Sequence, residues 1–121
     1  MGARAASAAG ATAGGQAIDH DLVRRFRRRL AERLRLERLL VFGSRARGTH
    51  RPHSDYDLIV VSPDFQGVSP LWRGHGLNRL WNDLAPGVDV ELLCVTPDEF
   101  AQATSRPTSW LQQAAAEAVE V

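Results

Sequence analysis

Lysine is absent from the chain: all 15 basic side chains are arginine, set against 14 Asp and Glu for a net charge of +1. That excludes a P-loop lysine, a lysine base and a lysine Schiff base. Cationic chemistry therefore falls to guanidinium groups, which stay protonated and fork onto carboxylate or phosphate oxygens. Cysteine is nearly absent too. The single Cys94 rules out an internal disulfide and points to a reducing cytoplasm. No apolar run approaches the length of a transmembrane helix, so no membrane association is expected. Residues 1–16 contain no aromatic or branched aliphatic side chain. Such an Ala/Gly-rich stretch cannot offset the entropy of ordering, and it lacks the Leu-like run of a cleavable signal. It reads as a flexible tail, with residues 17–121 as a single domain around one modest core.

Within that domain the apolar spacing alternates between helical and strand periods. Leu22, Val23, Phe26, Leu30 and Leu34 recur at three- and four-residue steps, predicting an amphipathic helix from Asp19 to Leu36 with Asp19 or Asp21 as its cap. Its outer face is crowded with Arg24, Arg25, Arg27, Arg28, Arg29, Arg33 and Arg35. That face suits solvent, an acidic protein or a nucleic acid. Arg38 to Phe42 and Tyr56 to Val61 read as strands, the second stopped by Ser62-Pro63. Leu71 to Leu84 reads as a helix with Trp72, Leu77, Leu80, Trp81 and Leu84 inward, its first turn weakened by Gly74 and Gly76. Val88 to Val95 reads as a third strand. Thr96-Pro97-Asp98-Glu99 has the form of a capping box with proline at the first helical position, and Trp110 to Val119 reads as a last helix.

The densest chemistry lies between the first two strands. Val41-Phe42-Gly43-Ser44 leads into an Arg/Gly/His-rich loop and then into Asp55-Tyr56-Asp57-Leu58. Asp55 and Asp57 are two apart, so on an extended chain both carboxylates leave the same face. Gly43 and Ser44 offer backbone and hydroxyl donors opposite them. Mg²⁺ prefers one or two carboxylates with phosphate oxygens and water, so the pattern suits a Mg-bound triphosphate. Asp89 and Glu91 share one parity on the third strand, and either can supply a third carboxylate; the spacing from Thr96-Pro97-Asp98-Glu99 leans to Glu91. Arg45 and Arg47 lie where they can grip a triphosphate or position a protein substrate. His50 and His53 lack the further ligands that a zinc site needs. Trp72, Trp81 and Trp110 suit core or interface positions better than an aromatic platform for a base.

Gly43-Ser44-Arg45-Ala46-Arg47-Gly48 followed by Ser54-Asp55-Tyr56-Asp57-Leu58 resembles the signature of the DNA polymerase beta-like nucleotidyltransferase superfamily, and within it the minimal nucleotidyltransferases. The order and spacing of Gly-Ser and Asp-x-Asp, with Phe42, Tyr56 and Leu58 in the hydrophobic slots, carry that resemblance. Thr49 departs from the acidic or polar residue that often follows the Arg-Gly there. The resemblance implies an α/β (α+β) fold, a small mixed β-sheet with flanking helices. It also implies that Asp55, Asp57 and a third carboxylate, Glu91 or Asp89, hold two Mg²⁺ ions. Gly43 and Ser44 would receive phosphate, with Arg47 fitting the motif better than Arg45.

The implied activity is transfer of a nucleoside monophosphate, AMP from ATP, onto a hydroxyl with release of pyrophosphate. Larger relatives add a helical domain that presents the acceptor. Minimal ones are often encoded beside a small helical HEPN-type protein, acting as antitoxin by modifying a tyrosine hydroxyl of that toxin. Two other readings stand beside this one. In the first, a non-catalytic nucleotide-binding protein masks a toxin; in the second, an RNA-binding module works through its arginines. Self-association is left open.

Overall fold

The computed structural model describes residues 18–49, 55–107 and 109–121. The tail assigned to residues 1–16, and His50, His53 and Ser54 of the loop, lie outside the described residues. The first helix, α1 (His20–Ala31), starts where Asp19 accepts a hydrogen bond from the Leu22 N–H at 3.1 Å. It buries Leu22, Val23, Phe26 and Leu30. It stops at Ala31 rather than Leu36, because the N–H groups of both Arg33 and Leu34 turn back to the Leu30 carbonyl. Leu34 and Leu36 still pack on the core from the connecting segment, so the apolar spacing outlasts the helix.

Strands β1 (Arg38–Phe42) and β2 (Tyr56–Val61) run antiparallel, with Phe42 opposite Asp57. Strand β3 (Val90–Val95) lies parallel to β2, and the short β4 (Val119–Glu120) pairs antiparallel with β1, giving the order β3-β2-β1-β4. This is the small mixed sheet with flanking helices that the sequence implied. A one-turn helix, α2 (Ser44–Arg47), follows β1 where only a turn was expected.

Helix α3 (Leu77–Leu84) makes the crossover between the parallel strands, and α4 (Pro97–Thr104) and α5 (Trp110–Glu117) follow β3. The expected start of α3 at Leu71 is not realised. Gly76 sits at its N-cap with φ of 84°, a left-handed backbone that no continuing α-helix contains, and Leu71 and Trp72 point out to solvent instead of inward. The last helix ends at Glu117, and Val119 leaves it to pair with β1.

Period-two alternation divides the strands between two cores. Leu39, Val41, Tyr56, Leu58 and Val60 pack with α1 and α3, where fully buried Trp81 meets Phe26 and Tyr56 at ring separations of 5.2 and 5.0 Å. The Trp81 indole N–H donates to the Val88 carbonyl at 2.8 Å, so burying the ring leaves no donor unsatisfied. Leu40, Ile59 and Val61 pack on the opposite face with Phe100 of α4 and Leu111 of α5. Among the described residues no helix is long and apolar enough to cross a membrane.

Candidate active site

The register aligns Phe42, Asp57 and Glu91 in one row across β1, β2 and β3, so the two carboxylates emerge from neighbouring strands on the face that α4 and α5 cover. They meet there. Asp57 is raised above the ordinary aspartate value, first by removal from water, then by the charge of Glu91 and by a hydrogen bond to it that only the protonated form can donate. Asp55 raises it further through charge alone, and Arg47 opposes them. Asp89 is not among the groups that act on Asp57. It lies just outside β3, exposed, with its carbonyl accepting the Tyr56 N–H at 3.0 Å. Of the two candidates for a third carboxylate, Glu91 is the one brought to Asp57.

Gly43 is fixed by the same carboxylate. Its φ is 76°, and a Cβ placed on it would stand 2.5 Å from Asp57 Oδ2. The resemblance implied that this glycine receives phosphate; in the structure the atom that fills the space a Cβ would take is the aspartate oxygen itself. Ser44 opens α2, half-buried, beside this glycine.

The two arginines of the motif diverge. Arg47 is exposed on the carboxylate side, where its Nη1 donates to Glu117 Oε1 of α5 at 3.0 Å. Arg45 instead lays its guanidinium over the ring of Tyr56, a residue of the α1 and α3 core, at 4.3 Å. Arg47 therefore acts on Asp57, while Arg45 is held over Tyr56.

The tryptophans also separate. Trp81 is core, Trp72 lies against His75, and Trp110 stands at the mouth of the row with its ring 5.7 Å from Phe42 at 85°. A hollow of about 220 Å³ opens between α5 and the motif, lined by Phe42, Gly43, Arg47, Trp110, Gln113, Ala114 and Glu117. The sequence reading passed over Gln113 and Glu117. The signal available for them was their i+3 and i+7 spacing from Trp110, which puts all three on one helix stripe.

The nucleotidyltransferase domain family matches residues 23–118, which span both strands of the motif, the third strand and α5. The chain belongs to that family. This nucleotidyltransferase is similar in fold to a solved protein from Sulfolobus solfataricus, whose own assignment as a nucleotidyltransferase is provisional. The two share 20% identity over 77% of this chain and 82% of the other, at a TM-score of 0.57. It is also similar to a solved toxin-antitoxin with AMP-PNP, at 19% identity over 83% of this chain and 81% of that one, with a TM-score of 0.50. No curated protein matches it.

Divalent metal chemistry is general to nucleotidyltransferases, and the donor set here fits it. Among the described residues no three such side chains are gathered into a ready-made cation cage. Asp57 and Glu91 are nevertheless two hard oxygen donors in contact, held at a cost that a cation between them would relieve.

Proposed function

We propose that this nucleotidyltransferase moves AMP from ATP onto a hydroxyl of a protein acceptor, with Asp57, Glu91 and Asp55 as ligands for two Mg²⁺ ions. The observation that carries this reading is the Asp57–Glu91 contact beside Gly43 and Ser44: paired like charges, partly desolvated, next to small residues. Those carboxylates would hold divalent cations, which would supply charge neutralisation of the triphosphate and a more acidic acceptor hydroxyl. Ser44 offers its hydroxyl to a terminal phosphate, and Arg47 exchanges Glu117 for phosphate oxygens. The acceptor oxygen forms a bond to the α-phosphorus as the bond from that phosphorus to the bridging oxygen breaks. Pyrophosphate leaves and the hydroxyl proton passes to solvent.

The acceptor we favour is a hydroxyl of a small helical HEPN-type toxin, with this chain as its antitoxin in the cytoplasm. The support is the motif's resemblance to minimal nucleotidyltransferases and the fold shared with a toxin-antitoxin solved with AMP-PNP. The test is transfer of label from α-labelled ATP and Mg²⁺ in a lysate of the native host, comparing wild type with Asp57→Ala. A labelled protein band that the variant fails to produce is expected. Binding of ATP and Mg²⁺ without any labelled acceptor would favour the non-catalytic masking role instead.

A further inference from the structure

We infer that α5 carries the nucleobase site, with Trp110 stacking on the base and Gln113 reading its edge, and that this pair selects adenine. The inference rests on the nucleotidyl-transfer reading and goes beyond it to the residues that choose the nucleotide. Trp110, Gln113, Ala114 and Glu117 follow one another at helical spacing and form a single wall of the hollow of about 220 Å³, whose opposite wall is Phe42, Gly43 and Arg47. Leu111 and Ala114 anchor the helix to the sheet, leaving Trp110 60% exposed. The indole is nevertheless fixed. Phe42 meets it in a T-shaped contact, and Phe42 stands in the same row as Asp57.

An exposed, oriented indole beside a phosphate-handling motif is a stacking platform, because every base offers a π-face. The hollow falls below the range of about 300–1,000 Å³ usual for a whole small-molecule site, and so suits one ring system whose phosphates extend along the Gly43 and Arg47 wall. A second hollow of about 270 Å³ lies on the other side of Trp110, lined by Phe42, Glu91, Leu92 and Leu93. Among the described residues that line it, the only charged or amide side chain is the candidate metal ligand Glu91, so no amide there matches an adenine edge. On the first side Gln113 presents an exposed amide with one acceptor and one donor arrangement, matching the amino and N7 groups of adenine, whereas guanine presents two acceptors at the equivalent edge.

The test is calorimetric titration of ATP, GTP and inorganic tripolyphosphate, each with Mg²⁺, into wild type, Trp110→Ala, Trp110→Phe and Gln113→Ala. Trp110→Ala is expected to weaken ATP binding about tenfold or more, the loss of one base–aromatic stack, while tripolyphosphate affinity stays within about twofold. Trp110→Phe should restore most of the loss, and Gln113→Ala should narrow the preference for ATP over GTP. ATP binding unchanged in Trp110→Ala overturns the inference and hands the indole to the acceptor, as does an equal loss of ATP and tripolyphosphate in a variant that keeps its wild-type melting temperature. If wild type binds neither ATP nor tripolyphosphate, the nucleotidyl-transfer reading itself falls.

Discussion

The two ends of β3 treat charge in opposite ways. At its start, Glu91 faces Asp57, which is raised first by removal from water and then by the charge of Glu91. Just past its end, Glu99 of the α4 capping box takes both Arg73 guanidinium nitrogens, one at 3.0 Å, and also accepts the Thr96 N–H at 2.9 Å. Arg73 is only 8% exposed, and its remaining donors reach the carbonyls of Val68 and Cys94 at 2.8 and 3.3 Å. Those bonds hold Glu99 down at about 2. One end is matched within the chain and serves the fold, tying the loop before α3 to α4. The other is left unmatched among the described residues, at a cost to the fold, and under the proposed function it is where a cation would bind.

Breaking the unmatched end should have the largest effect. Glu91→Gln is expected to lower transfer by at least about a hundredfold, the scale of losing one preorganised electrostatic group, while Asp89→Asn changes it by no more than about threefold. Steady-state transfer with the labelled acceptor checks both. Equal losses would return Asp89 to the site.

The matched end predicts stability instead. Arg73→Met should cost on the order of 1–3 kcal/mol, below the full penalty of a broken buried pair because the Glu99 side chain is 46% exposed and screened by water. Denaturant unfolding measures it, and the folded variant should still transfer label. Mg²⁺ should sharpen the contrast further. It raises the melting temperature of wild type but not of Asp57→Asn, because only the wild-type row presents both carboxylates to the ion.

The smallest effects are in pH, and they have opposite signs. The Glu99 proton is held less tightly in the fold than in the unfolded chain, so its contribution is complete above about 4.5 and is lost as pH falls toward about 2. Asp57 is raised, so the fold binds its proton more tightly than the unfolded chain does. Without Mg²⁺, stability therefore falls as pH rises above the ordinary aspartate value of 3.8. Unfolding across pH in Arg73→Met and Asp57→Asn should remove the first and second dependence respectively.

The features legible in the sequence were those fixed by local chemistry. The Gly-Ser and Asp-x-Asp motif marked β1 and β2, and Thr96 and Glu99 marked the start of α4, because each depends on residues a few positions apart. What escaped depended on distant partners. Val119–Glu120 is too short to alternate and becomes a strand only because β1 has an open edge, with Glu120 taking Arg38 at 3.1 Å. Spacing leaned to Glu91 over Asp89, but its meeting with Asp57 depends on the β2–β3 register, and Arg45 lies over an aromatic ring of the other face of the sheet. Trp72 was misread as core because apolar spacing ran on through a segment in which Gly76 forbids a helix.

The most direct test of nucleotidyl transfer at the Asp57–Glu91 row runs purified protein and acceptor with α-labelled and γ-labelled ATP in parallel. The account predicts that the α-label joins the acceptor and the γ-label leaves in pyrophosphate, both abolished by Asp57→Ala. Transfer of the γ-label to the acceptor, or α-label transfer that survives Asp57→Ala, would contradict it.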